Sequence, residues 1–472
     1  MRARLLRPRA RCGIMDIRDK RYKIKFALSK FFTPPRMLIF GFLFIILIGT
    51  AMLAFPFSAK DGRTVGFMTA FFTSVSATCV TGLSVVDLAA TYSAFGHVVI
   101  LLLVQIGGLG FMTISSSIYL MLGKKISLKN KIHLIEETAE YDMTDLRSLV
   151  AKILIMTLGA EAVGFILFSI AFSRYFSAGL SVWYGLFHAV MAFCNAGFDI
   201  FPDSDSLVPF YSDPFIMLVT AILIILGGIG FIAINDVWKN KSLRKCRVQT
   251  KVVFGVTAII IFGSSLLYWL FEHNNPLTIG EMNAADGVLN AFFHAVSSRT
   301  AGFSAFDAGE LTQSSVALNI VLMFIGASPG SLGGGIKTTT VFILVAVIVS
   351  TARQKKQIVV DKHKIGKASI SKAASVIMLA LAVMVVSLLL LTVSDGDNLS
   401  NQELLFEQVS AYSMCGLSLG ATSALSVWGQ LIIILNMYLG RVGVLTFFLA
   451  FSDREKKADA TAIKYPEANI SV

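Results

Sequence analysis

Four glycines recur at near-equal intervals, Gly82, Gly197, Gly302 and Gly416, separated by 115, 105 and 114 residues. Their settings are related. The first is Thr78-Cys79-Val80-Thr81-Gly82-Leu83 and the second Cys194-Asn195-Ala196-Gly197-Phe198. The third is Arg299-Thr300-Ala301-Gly302-Phe303, and the fourth, most divergent, is Met414-Cys415-Gly416-Leu417-Ser418. No nucleophile–base pair and no metal triad stands out in the sequence, so the chemistry to expect here is that of the backbone. A loop that aims consecutive carbonyls at one axis needs dihedrals outside the regions open to L-residues, and several backbones must approach closely; both demands select glycine. Four such loops on one axis replace a cation's water with carbonyl oxygens. One glycine would mean little, because glycine is common in membrane helices. Four, in the same place of four like units, point to a pore.

The elements that must position these loops repeat with them. Before each glycine runs an apolar segment too short to cross a bilayer, marked by Phe72-Thr73-Ser74-Val75, Phe187-His188-Ala189-Val190, Phe293-His294-Ala295-Val296 and Phe406-Glu407-Gln408-Val409. In three units the Phe stands ten residues before the glycine; Phe293 stands nine before Gly302, so that loop is shorter by one residue or its helix has slipped. Longer apolar segments flank each pair. The pattern predicts an all-α polytopic membrane protein of four tandem helix–pore-loop–helix units, with eight transmembrane helices and four re-entrant half-helices around one pore. The units span residues 37–122, 146–238, 249–350 and 370–452, between a basic arm (1–36) and a tail (453–472). Gly107-Gly108-Leu109-Gly110-Phe111 and Gly227-Gly228-Ile229-Gly230-Phe231 support the duplication independently of the loops.

Composition agrees. Of 472 residues, 55% are hydrophobic and 15% charged, with a mean hydropathy of +0.73, far from a soluble chain. The net charge of +12 is no nucleic-acid signature, because 35 of the 41 Lys and Arg cluster in segments 1–36, 122–152, 239–251, 351–372 and 453–472. These alternate with apolar pairs, which puts both termini in the cytoplasm and the chain in the plasma membrane, its lipid bilayer the first partner. The basic N-terminal stretch lacks an adjoining small-residue cleavage site and reads as an arm, not a signal peptide. Asp199, Asp203, Asp205, Asp213, Asp307 and Glu310 gather on the opposite side, where acidity concentrates cations. Cys79, Cys194 and Cys415 lie within three residues of a loop glycine, which predicts thiols reachable from outside.

The last span of the third unit is irregular. Ser328-Pro329-Gly330-Ser331-Leu332-Gly333-Gly334-Gly335-Ile336-Lys337-Thr338-Thr339-Thr340 interrupts it, and neither half crosses alone. Irregular backbone at that depth must be buried in protein or line water. Arg441 is a cation inside an apolar span and should face the pore or a polar cavity. Together with Lys337 and the glycine-rich break (328–340) it makes a candidate gate, the glycines giving low barriers between conformers. The break falls short of a phosphate loop, since Ile336 separates Gly335 from Lys337. His188 and His294 read as packing residues and Glu161 as a satisfied intramembrane hydrogen-bonding group.

Val80-Thr81-Gly82-Leu83, Cys194-Asn195-Ala196-Gly197-Phe198, Arg299-Thr300-Ala301-Gly302-Phe303 and Gly440-Arg441-Val442-Gly443 resemble the Trk/Ktr/HKT superfamily of cation transporters, most closely its bacterial Ktr branch. The resemblance covers about Arg36 to Phe451. It implies K+ uptake, Na+-dependent or Na+-permeable, one filter glycine per unit with K+ held by backbone carbonyls, a gating loop in the third unit, and a gate arginine at Arg441. It further implies a homodimer and a cytoplasmic ring of RCK-type nucleotide-binding subunits, with ATP or ADP on that ring and no cofactor in this chain. On this reading Gly82→Ser or Gly302→Ser changes K+/Na+ preference while the fold survives. A secondary transporter with a midplane site in broken helices is the alternative, but it predicts inverted repeats; a membrane-bound enzyme lacks candidate residues.

Overall fold

The computed structural model describes residues 34–110, 146–202, 206–355 and 357–451. The basic arm up to residue 33, the end of the first unit from residue 111, Asp203, Asp205 and the tail from residue 452 lie outside the described residues.

Unit 1 comprises α1 (Pro34–Ala54), the half-helix α2 (Phe67–Cys79), the single turn α3 (Leu88–Thr91) and α4 (Ala94–Leu109). Unit 2 comprises α5 (Leu146–Phe172), the half-helix α6 (Ala178–Cys194), α7 (Pro214–Ile229) and α8 (Phe231–Asn240). Unit 3 comprises α9 (Val248–Glu272), the half-helix α10 (Ala284–Ser297), α11 (Gln313–Phe324) and α12 (Thr338–Ala352). Unit 4 comprises α13 (Lys367–Asp395), the half-helix α14 (Asn401–Ser413), α15 (Val427–Val442) and α16 (Val444–Phe451). Between units 3 and 4 a two-stranded antiparallel hairpin, Val359–Val360 with His363–Lys364, is tied to α9 by a 2.6 Å ion pair from Lys251 to Asp361.

The outer helices α1, α5, α9 and α13 are each apolar and long enough to cross a bilayer unbroken. Their outward faces are bare hydrocarbon, with Ile155 70% and Ile259 75% exposed, while Thr73, Ser74, Ser76 and Thr78 of a half-helix are buried. This inside-out distribution is what a lipid solvent selects. The inner helices do not run straight. The expected spans through Gly230 and Gly443 are bent by 93° between α7 and α8 and by 89° between α15 and α16. Gly230 (φ +97°) and Gly443 (φ +84°) hold left-handed dihedrals at the two corners, and Gly110 (φ +81°) does so at the end of α4.

The repeat is kept to the residue. Ser93, Asp213, Thr312 and Ser426 cap α4, α7, α11 and α15, each side chain accepting a bond from a backbone N–H of the first turn. Fourteen residues after each cap comes a glycine: Gly107, Gly227, Gly326 and Gly440. At the first, second and fourth, a Cβ would strike the carbonyl of Thr78, Phe193 or Tyr412, each four residues before a loop glycine. The end of each of these half-helices thus rests directly on inner-helix backbone. Gly326 instead faces the carbonyl of Gly334, because in unit 3 the chain folds back into that space.

Gly107→Ala or Gly440→Ala should therefore destabilise the protein by about 3 kcal/mol through overpacking. Gly159→Ala, on an exposed helix face with nothing within 4 Å, should be neutral or stabilise by up to about 1 kcal/mol. Thermal unfolding in detergent measures both. A Gly107→Ala protein that melts with the parent would show that this seat is not tight.

Candidate functional site: a ring of four loops

Half-helices α2, α6 and α14 end in the same way. Val80, Asn195 and Met414 turn left-handed, with φ of 63°, 60° and 57°. Val80 N donates to Ala77 O at 3.1 Å and Thr81 N to Ser76 O at 2.8 Å. Asn195 and Ala196, and Met414 and Cys415, repeat that pair of bonds, which is a Schellman cap. Glycine usually fills the left-handed position. Here Val, Asn and Met do, at a strain on the order of 1–3 kcal/mol per site. Unit 3 differs: α10 stops at Ser297, and Ala301 N at 3.0 Å and Gly302 N at 3.4 Å both donate to Ser297 O to close the turn. The residue missing between Phe293 and Gly302 is thus absorbed by a tighter cap, and Thr300 still turns left-handed at φ 69°.

Two residues on, Gly82, Gly197, Gly302 and Gly416 also have positive φ, at 96°, 64°, 78° and 90°, while the residue between keeps a negative one. A backbone that alternates hand turns successive peptide groups toward one side. The glycines interlock. A Cβ on Gly82 would meet the carbonyl of Ala196, one on Gly197 that of Ala301, one on Gly302 that of Cys415 and one on Gly416 that of Thr81, all at 2.7 Å or closer. Each oxygen belongs to the residue before the next unit's glycine. The contacts run from unit 1 to 2, 3, 4 and back to 1, a closed ring of backbone. A serine at Gly82 or Gly302 must therefore push the neighbouring loop backbone aside.

Side chains beside the ring turn away from it more than the sequence suggested. Cys79, Cys194 and Cys415 are fully buried. The Cys194 thiol points to Gln105 Oε1 and Glu161 Oε1, each at 3.8 Å, and the Cys415 thiol to Ser298 O at 3.5 Å. Thiols open to outside reagents are thus replaced by fully buried thiols. The Asn195 amide lies against the Gly227–Gly228 bend. Arg299 and Asn195 both line a small cavity there. The hydroxyls of Thr78, Thr81 and Thr300 are buried without a protein partner.

The break in unit 3 is zipped onto the bend of unit 2. The bend leaves helix-end carbonyls and an amide without helical partners. Ser328 N donates to Gly228 O at 3.0 Å, Leu332 N to Gly227 O at 3.1 Å, and Phe231 N to Gly330 O at 3.0 Å. Gly333 and Gly334 press against Thr300 and Met414, the left-handed residues of two loops, so closely that a Cβ at either would displace the facing side chain. The Arg441 guanidinium donates to Leu332 O at 2.8 Å, to Gly108 O at 3.1 Å and to Gly107 O, and lies 5.9 Å from the Phe42 ring. It clamps the break to the end of α4. Lys337 Nζ donates within the break, to Gly333 O at 2.9 Å. A cavity of about 440 Å³ is walled by Phe42, Gly330, Gly334, Lys337, Met414 and Arg441.

A further set was not recognised from sequence as a set. The residue after each half-helix Phe (Thr73, His188, His294 and Glu407) is a buried post that binds the structure beyond the glycine. Tyr92 donates to Thr73 at 3.2 Å; His188 stacks on Phe201 at 4.2 Å; His294 packs on Phe306 at 4.9 Å and pairs with Asn319 at 3.1 Å. Glu407 accepts from Ser418 at 2.7 Å and from Thr422. The aligned Phe-Thr, Phe-His, Phe-His and Phe-Glu pairs carried that signal. The packing role read for both histidines agrees with these contacts, as does the hydrogen-bonding role of Glu161, which accepts from Gln105 at 3.2 Å.

An all-α membrane chain of four tandem units, each with a half-helix and loop facing a shared centre, has the architecture of a transport protein and not of an enzyme. The chain belongs to the TrkH family of cation transport proteins, which matches residues 42–459. It is 34% identical to the Ktr system potassium uptake protein B of Bacillus subtilis, over 93% of this chain and 96% of that one. It is 35% identical to the protein of the same name from Vibrio alginolyticus, over 92% and 94%. It is 33% identical to the potassium/sodium uptake protein NtpJ of Enterococcus hirae, over 95% and 99%. Its fold superposes on the crystal structure of the potassium transporter TrkH from Vibrio parahaemolyticus with a TM-score of 0.66 at 18% identity, covering 87% and 84% of the two chains.

Because the three loop cysteines are buried, a membrane-impermeant thiol reagent added outside should leave transport unchanged, and mass spectrometry should find Cys79, Cys194 and Cys415 unlabelled. Rapid labelling of any of the three in the native protein would contradict their placement.

Proposed function

We propose that this chain carries K+ into the cell through the ring of loops. The observation that carries the reading is the closed cycle of backbone contacts among Gly82, Gly197, Gly302 and Gly416. Four loops locked edge to edge can present carbonyl oxygens to one desolvated ion, the requirement for selective conduction. The filter consists of Thr78 to Gly82, Cys194 to Gly197, Arg299 to Gly302 and Met414 to Gly416, with the buried Thr hydroxyls as further oxygens. The names of the relatives, potassium uptake and potassium/sodium uptake, support K+ as the principal ion and Na+ as a coupled or competing one.

The break at residues 328–340 and Arg441 form the gate in this reading. The loop rests on Thr300 and Met414, and Arg441 holds it there through the Leu332 carbonyl. A homodimer with a cytoplasmic RCK-type ring, ATP or ADP bound on the ring, would pull the loop aside from the basic face, where the termini also lie. The Ktr system relatives, whose names describe one protein of a system, favour such a partner. Units of one repeated order, capped in one register, disfavour the inverted-repeat secondary transporter.

In liposomes the protein should pass K+ or Rb+ down a gradient. Gly82→Ser and Gly302→Ser should each cut that flux at least about tenfold, because each forces neighbouring loops apart. No flux from the parent with or without a cytoplasmic partner, or undiminished flux in the serine variants, defeats the reading. Arg441→Ala, or a shortened Gly330–Gly335 segment, should raise flux several-fold when no ring is present. Two correctly inserted variants with parental ring-free flux would remove the loop from the role of gate.

A further inference from the structure

Arg299 is anomalous among the residues that end the half-helices. Three residues before the loop glycine the other units place Cys79, Cys194 and Ser413, all small. Unit 3 places a guanidinium, and it is only 7% exposed. Arg441 gives its charge to three carbonyls. The Arg299 side chain makes no ion pair or hydrogen bond among the described residues, and its Nε is buried without a partner. In the same small cavity the Asn195 amide, 1% exposed, has neither Nδ2 nor Oδ1 bonded to protein. Apolar Ile224, Ile225, Ile261 and Val296 complete its walls with Gly228 and Ala327. At about 10 Å³ the cavity has room for the centre of one water. A water there can accept from Arg299 Nε–H and Asn195 Nδ2–H and donate to Asn195 Oδ1, three bonds that answer the three unpaired atoms.

A solvated guanidinium with no carboxylate remains a full charge in a poorly screened place. It belongs to the filter loop of unit 3, three residues from Gly302, so its Cα lies within about 10 Å of the ring. We propose that Arg299, solvated by one water shared with Asn195, is an affinity-determining residue that acts from behind the filter: its uncompensated charge weakens cation binding in the ring and so lets ions leave. A filter must bind an ion well enough to admit it and loosely enough to release it. Four convergent loops and the negative ends of four half-helices all push toward tight binding. Arg299 is the opposing charge. A unit charge about 10 Å away, at the effective dielectric of a protein interior, changes ion affinity by about tenfold.

This inference rests on the filter reading above, and the test separates the two: parental flux in liposomes decides whether the ring conducts, and ion affinity across variants decides what Arg299 does. K+ binding to the detergent-purified full chain, by isothermal titration calorimetry, is compared with K+ concentration dependence of Rb+ flux. Arg299→Gln should bind K+ about tenfold more tightly, with half-saturation of flux shifted to lower K+ and a lower maximal flux. Arg299→Lys, which keeps the charge, should stay within about threefold of the parent. Asn195→Asp places a carboxylate of nearly the same shape in the cavity and, by neutralising Arg299, should shift affinity in the same direction as Arg299→Gln. Equal shifts from the Gln and Lys variants would make the role steric and overturn the proposal. Unchanged affinity in Arg299→Gln overturns it as well, and if that variant does not fold, unchanged affinity in Asn195→Asp does so.

Discussion

Everything in this protein answers to one steric condition: four stretches of backbone must come closer to one another than any side chain permits. The ring closes only if Gly82, Gly197, Gly302 and Gly416 each lie against the carbonyl before the next glycine. That condition reaches outward in shells. To bring the loops to the centre, a left-handed residue must stand two before each glycine, and the ring keeps Val80, Thr300 and Met414 in a conformation their side chains disfavour. To bring the half-helices in, the inner helices need glycine where Thr78, Phe193 and Tyr412 rest on them. Buried posts at Thr73, His188, His294 and Glu407 then pin the structure beyond the ring. The outer helices are left with an undemanding task, and their apolar sequences reflect it.

The break in unit 3 shows how hydrogen-bond supply links two irregular parts of the molecule. The 93° corner at Gly230 strands carbonyls at Gly227 and Gly228 and an amide at Phe231, and the break satisfies all three. Loop and corner are each other's partners. Neither can change shape without leaving the other's polar groups to find water, so the loop's position is joined to the wetting of the cavity it walls. Arg441 adds a third member, because its guanidinium bridges the loop at Leu332 and the end of α4 at Gly107 and Gly108.

Much of this was legible in the sequence, for identifiable reasons. Glycines forced by close approach leave a periodic trace that survives duplication, so the four loop positions and the four tandem units could be read directly. So could the cost of Arg441 in an apolar span. Side-chain direction could not. Whether Cys79 faces out or back depends on how its half-helix is rotated against its neighbours, and nothing in Val, Asn, Thr or Met marks a shared left-handed site. Motif position grouped Arg299 with the filter, whereas its side chain belongs to a cavity behind it. The bend at Gly230 was disguised because Gly227-Gly228-Ile229-Gly230 lies within a long apolar run, and hydropathy is blind to a corner. The shortened cap of unit 3 showed only as one missing residue. Choosing between a shorter loop and a slipped helix needed the bond from Ala301 to Ser297.

The contact that closes the ring joins Gly416 to Thr81, the last unit made to the first. A chain emerging into the membrane amino end first can build three of the four sides and hold them side by side, but the aperture has no fourth wall until the final unit is inserted. A chain truncated before residue 416, or stalled there, therefore has no closed ring. Four separate chains would make a comparable ring by assembly, at a rate set by their concentration. Fusing the four units fixes their order, makes closure an event within one molecule, and frees each side to diverge alone, as the short cap and buried arginine of unit 3 show that one has.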